Sequence, residues 1–177
     1  FQSLDAATTA DNNIAFGYAA LGAATTGGNN LAIGAYALDA LTTGTGNVAV
    51  GQAALGASSA SNNTAVGYNA LMANTTGTGN TAVGYAALDA VTTSSDNTAV
   101  GISTLTALTT GVKNTAIGKD SGKGLTTGTQ NTAVGARSLQ AATEGDHNVA
   151  LGEAAAYGIT TGDNNTALGS NALVTAN

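Results

Sequence analysis

The feature that most constrains this chain is a strict internal period. The pattern Asn-x-Ala-apolar-Gly recurs with its Asn at Asn13, Asn30, Asn47, Asn63, Asn80, Asn97, Asn114, Asn131, Asn148 and Asn165. Every interval is 17 residues except the 16 between Asn47 and Asn63. A fixed period in this range belongs to repeat architectures, in which each unit buries its apolar face against its neighbours. The short interval falls at Ser58-Ser59-Ala60-Ser61, where another copy reads Thr42-Thr43-Gly44-Thr45-Gly46. A unit that loses one residue there and resumes in phase carries a loop at that point.

Each copy divides into an apolar run, a Gly, a second run ending in Leu, and a Thr/Gly loop. One example is Asn80-Thr81-Ala82-Val83-Gly84, then Tyr85-Ala86-Ala87-Leu88, then Thr92-Thr93. Such runs are too short for helices. Two short strands with Gly at the corners use up the unit as one turn of a coil, and successive coils stack as parallel strands. The predicted fold is all-β: a single-stack parallel β-solenoid of ten coils from residue 13 onward, after a partial coil over 1–12. Residues 1–177 then form one repeat domain, expected to be a fragment or processed part of a fibre.

Composition agrees with a thin coil. Two Phe, five Tyr and no Trp cannot fill a layered core, and the charged fraction of 8% with no Pro is not that of a disordered chain. The absence of Cys excludes a disulfide framework and a thiolate metal site. A net charge of −6 argues against nucleic acid and anionic membrane as partners. No stretch approaches the roughly 18 apolar residues of a membrane span. The chain starts at Phe1 without a signal peptide, as a processed piece would.

In the first strand the second residue is Thr or aliphatic, the third is Ala, and the fourth is Phe, Ile, Val or Leu. Alternation sets the second and fourth on one face and Ala on the other. One small core per coil buries little apolar area against the entropy of ordering the unit. The expectation is that several copies pack their Ala-bearing strands together along a common axis. The recurring Asn is expected to stack about 4.8 Å apart in a structural ladder, bonding to its neighbours and to turn backbone. The recurring Gly marks a corner that needs positive φ or close backbone approach.

The units Asn63-Thr64-Ala65-Val66-Gly67-Tyr68-Asn69-Ala70-Leu71 and Asn114-Thr115-Ala116-Ile117-Gly118 resemble the head repeats of trimeric autotransporter adhesins, the YadA-like family. They also resemble related β-roll repeats of bacteriophage tail fibres, and the resemblance spans essentially the whole chain. It implies a left-handed β-roll with three chains around one axis, extracellular on a cell surface or virion, adhering to a host surface, matrix protein or glycan. The family's common unit is shorter, and the excess here lies in the Thr/Gly loop. No heptad stalk or membrane-anchor strands accompany the repeats. Phe1-Gln2-Ser3-Leu4 aligns with Tyr18-Ala19-Ala20-Leu21, and the last unit runs through Asn171-Ala172-Leu173 to Asn177 without a polar cap. Open strand edges are expected at both ends, and with them either a longer protein or a filament stacking end to end.

Enzyme chemistry is not expected, and no cofactor follows from the residues. The single histidine, His147, sits in the loop Glu144-Gly145-Asp146-His147 with no nucleophile pattern around it. Gly44-Thr45-Gly46 and Gly77-Thr78-Gly79 lack the Gly-Lys-Ser/Thr of a phosphate loop and read as turns. Asp11-Asn12, Asp96-Asn97 and Asp163-Asn164 supply too few oxygens for Ca²⁺ in any one loop. All four basic residues, Lys113, Lys119, Lys123 and Arg137, fall within 25 consecutive residues and form a candidate surface-binding patch for an acidic glycan or a neighbouring subunit. Gly122 replaces Leu in the same segment, so weaker packing is expected there. Thr pairs such as Thr75-Thr76 and Thr92-Thr93 raise ice binding as a minor reading, with only one Thr per pair expected to face outward.

Overall fold

The computed structural model describes residues 3–6 and 9–174, so Phe1, Gln2 and Asn177 lie outside the described residues. Ten strands follow one another: β1 (Ile14–Phe16), β2 (Leu31–Ile33), β3 (Val48–Val50), β4 (Thr64–Val66), β5 (Thr81–Val83), β6 (Thr98–Val100), β7 (Thr115–Ile117), β8 (Thr132–Val134), β9 (Val149–Leu151) and β10 (Thr166–Leu168). They form one parallel sheet in sequence order, with the central Ala of each strand level with the central Ala of the next. The fold is an all-β parallel solenoid with coils of about 17 residues, as the period predicted. The one-residue deletion leaves this register intact, since Val48 still pairs with Thr64. Coil position 1 is the repeat Asn and position 17 the residue before the next one.

The expected second strand is absent. Each described coil has one three-residue strand, and the run ending in Leu is a chain of turns. Its backbone alternates in hand: Ala86 and Leu88 have φ of +51° and +53°, as do the equivalent residues in other coils, such as Tyr36 and Leu38 at +60° and +51°. Alternation flips successive peptide groups, so their donors point up and down the stack in turn. The Ala86 N–H donates to Tyr68 O of the preceding coil (2.9 Å), and the Leu88 N–H donates to Thr104 O of the following one (3.1 Å). Intercoil hydrogen bonding thus continues around the corner without extended geometry. A non-Gly residue at positive φ carries a steric penalty of roughly 1–2 kcal/mol. Here each repays it by making a ladder bond and, for Leu, by filling the core.

The expectation that the strand Ala faces outward onto other copies is also corrected. Ala32, Ala49, Ala65, Ala82, Ala99, Ala116, Ala133, Ala150 and Ala167 are buried inside their own coil. They pack against Ala or Leu at positions 8 and 9 and against position 12, including Leu38, Leu41, Leu88, Val91, Leu105 and Leu108. The coil is so narrow that a methyl is all that fits beneath the strand. The outward face is therefore the one carrying positions 2 and 4.

Coil 7 departs from this core. Gly122 stands where all but one of the other coils place Leu, and a Cβ built on it meets Leu105 Cδ2 at 2.7 Å, so Leu105 leans into the vacated space. Position 8 turns polar in the same region: Thr104 Oγ1 donates to Gly118 O (2.7 Å), Ser121 Oγ donates to Ala133 O (3.0 Å), and the Ser121 and Ser138 hydroxyls share a bond at 2.9 Å. Gly122 has φ +58°, close to the values that Leu adopts at this position in its neighbours. Gly122→Leu is therefore expected to stabilise the chain by about 1–2 kcal/mol, once Leu105 returns to the rotamer of its counterparts. Thermal melting followed by circular dichroism measures this, and an unchanged or lower midpoint would show that the space is not recoverable.

Candidate functional site

The ten repeat asparagines form a continuous ladder. Each Oδ1 accepts the backbone N–H of the next repeat Asn, at 2.9–3.0 Å from Asn13–Asn30 to Asn148–Asn165. Each Nδ2 from Asn13 to Asn148 donates to the position-15 carbonyl, as from Asn80 to Ser94 O (2.8 Å) and from Asn114 to Gly128 O (2.8 Å). One side chain thereby ties coil to coil and closes each coil on itself. Asn30 through Asn148 are buried, so these side chains are occupied with backbone.

Two further ladders run along the loop side. At position 13, hydroxyls donate to the same position one coil on, as from Thr75 to Thr92 O (2.9 Å) and from Thr126 to Thr143 O (2.9 Å). At position 16, side-chain oxygens accept from the preceding coil: Ser95 Oγ from the Thr78 N–H (3.0 Å), Asp146 Oδ1 from Thr129 (2.7 Å), and Asp163 Oδ1 from Asp146 (2.8 Å). Asp163, from one of the Asp-Asn pairs weighed as a source of cation ligands, thus has an oxygen bonded to backbone, as does Asp146. Among the described residues no group of three or more His, Asp or Glu is placed to hold a metal ion. Both members of the Thr pairs at 42–43, 75–76, 92–93 and 109–110 are exposed, because the pair lies in a bend rather than on a strand. In these four pairs the expected up-and-down alternation does not occur.

The four basic residues spread around the coil: Lys113 at position 17, Lys119 at 6, Arg137 at 7 and Lys123 at 10. All four are exposed. Lys123 Nζ pairs with Asp120 (3.0 Å), and Arg137 Nη2 with Glu153 (2.7 Å). Exposed pairs of this kind contribute little to stability, but they neutralise half of the positive charge locally. His147 sits at position 17 with φ +57°, exposed, its backbone N–H donating to Thr129 O (3.0 Å). Partial burial raises the carboxyl pKa of Asp39 and Asp89, against the lowering effect of nearby backbone N–H groups.

The feature missed in the sequence is the outward face of the sheet. Position 4 presents Phe16, Ile33, Val50, Val66, Val83, Val100, Ile117, Val134, Leu151 and Leu168 in one column, and position 2 adds a column of Thr and aliphatics. Phe16 and Leu168 are about three-quarters exposed, at 76% and 75%. No charged residue occupies positions 2 to 4 in any coil. The apolar fourth residue was visible in the repeat, but alternation alone does not say which side of a strand is inside. Beyond the Gly corner, Tyr18, Tyr36, Tyr68 and Tyr85 stand exposed. Comparisons with known protein families, curated proteins and solved structures found no match to this chain.

Proposed function

We propose that this chain is a segment of an extracellular structural or adhesive fibre, the head or shaft of a trimeric surface adhesin or a phage tail fibre. It works by presenting a long rigid surface to a host surface, matrix protein or glycan rather than by catalysis. The observation that carries this reading is the charge-free outward sheet face, unbroken over ten coils and about 48 Å at ~4.8 Å per coil. A contiguous apolar face of this length, left without charge, marks an interaction surface. In this reading copies lie side by side with positions 2 and 4 toward a common axis, and the loops face outward. The left-handed roll and the count of three chains come from the resemblance of the repeats.

Sedimentation at micromolar concentration tests the association, and three chains per particle is the expected mass. The double variant Val83→Lys/Val100→Lys places two ammonium groups on that face where they touch nothing in the coil interior. It is expected to reduce the particle to single chains while leaving the circular dichroism spectrum unchanged. A wild-type chain that sediments as a monomer would remove the proposal. Electron microscopy separates its two forms: short rods of roughly 48 Å for a fibre segment, and long threads for a filament that stacks end to end.

A further inference from the structure

Tyr68 and Tyr85 occupy the same corner, position 6, of successive coils. Their ring centroids lie 5.5 Å apart with an interplanar angle of 7°. Both side chains are open to solvent, at 45% and 55% exposure. The repeat itself imposes this geometry, because the intercoil bond from the Ala86 N–H to Tyr68 O (2.9 Å) holds the two backbones level beside the rings. A second pair, Tyr18 and Tyr36, is as close at 5.4 Å but meets edge to face at 76°. The fifth tyrosine, Tyr157, is at position 10 and belongs to neither pair.

We propose that Tyr68 and Tyr85 are a site of oxidative coupling, at which a one-electron oxidant joins them into a dityrosine that staples coil 4 to coil 5. A haem peroxidase turning over hydrogen peroxide is the class of oxidant required. It removes one electron and one proton from each phenol, leaving two phenoxyl radicals with spin density on the ring carbons ortho to oxygen. Those carbons bond to each other, and the hydrogen on each passes to its ring oxygen through solvent, restoring both phenols. Two tyrosines and one hydrogen peroxide give one dityrosine and two waters, so the protein loses two hydrogens.

The Tyr68 and Tyr85 rings lie near-parallel with centroids 5.5 Å apart, so closure needs the two rings to approach and tilt with their planes already aligned. The edge-to-face pair at 76° has no such alignment. In a chain without cysteine, the link is a covalent crosslink between coils that oxidising conditions can add. It closes a 17-residue loop, from Tyr68 to Tyr85, and restricts the unfolded chain as a disulfide of that span would.

The full chain, diluted to favour reaction within one molecule, is treated with a haem peroxidase and hydrogen peroxide and read by intact mass and dityrosine fluorescence. The expected product is a single chain lighter by two hydrogens, with Tyr68 and Tyr85 joined in one proteolytic fragment and a raised melting temperature. Tyr68→Phe and Tyr85→Phe each abolish it, whereas Tyr18→Phe leaves it. Oxidation of Met72, 39% exposed, adds oxygen and so moves the mass the other way. Product of equal yield in Tyr68→Phe, coupling only between separate chains, or no coupling where free tyrosine couples readily would each overturn the proposal. Because the readout is on one chain, it stands or falls separately from the fibre reading, which sedimentation decides.

Discussion

Gly84→Ala is expected to destroy the central coils. Gly84 turns the corner after β5 with φ +137°, and a Cβ there meets Gly101 O at 2.3 Å and Gly101 C at 2.6 Å. Both atoms are backbone of the next coil, so no side-chain rotation relieves the overlap. Relief requires the coils to part, and parting breaks the ladders that flank the corner, including the Gly101 N–H to Val83 O bond at 2.7 Å. The cost is expected to exceed about 4 kcal/mol, a large part of the total stability of a domain. In a stack where each coil touches only its neighbours, that loss divides one cooperative rod into two weaker pieces. Hydrogen exchange should show protection lost in coils 4 to 6 first. Gly56→Ala is the control: its φ is unexceptional, its nearest Cβ contact is 3.3 Å, and Asp39, Met72 and Asp89 occupy the same position in other coils. It is expected to melt within about 0.5 kcal/mol of the parent.

The second large effect falls on the asparagine ladder. Asn80→Ala removes the acceptor of the Asn97 N–H (3.0 Å) and the donor to Ser94 O (2.8 Å), leaving two backbone groups without partners in a region that excludes water. At about 1–3 kcal/mol for each orphaned group, the loss is about 2–6 kcal/mol. Asn80→Asp tests the geometry more sharply. An ionised carboxylate still accepts from Asn97, which favours the charged form, but burial and the facing Ser94 carbonyl both disfavour it and together are expected to raise its folded pKa. A carboxyl with a raised folded pKa contributes stability below its unfolded pKa and loses it as pH rises through the folded value. The Asp variant should therefore be strongly destabilised at neutral pH and recover in acid, where the protonated group donates to Ser94 as the amide did. Equal destabilisation of Asn80→Asp at both pH values, relative to parent, would show that the Nδ2 bond is not the one that matters.

Much of this architecture was legible in the chain because repetition amplifies weak local signals. One Asn-x-Ala-Val-Gly says little, but ten in phase require a stack. Once coils stack, equal residues fall level, as Ala82 does with Ala65 and Ala99. The same logic located the loop, since the missing residue at 58–61 disturbs neither β3 nor β4. Stacking also made the Asn ladder readable, because a side chain carrying both donor and acceptor satisfies the backbone of its own coil and the next.

Three things were not legible, and each depends on what lies opposite a residue. Runs such as Tyr85-Ala86-Ala87-Leu88 have the composition of a short strand, yet fold as turns of alternating hand. Local preference disfavours positive φ at Ala86 and Leu88, and only the intercoil bonds and the space for Leu88 overturn it. The four basic residues are close in sequence but lie at different coil positions, and two of them meet carboxylates at Asp120 and Glu153. Which face of the strand is inside was decided by the width of the coil. The sequence by itself determined the period, the stack, the corners and the ladder, since these follow from residues placed level with their own copies. The tertiary structure alone decided that the narrow interior takes Ala and turns Val and Thr outward, because that choice rests on the space across the coil.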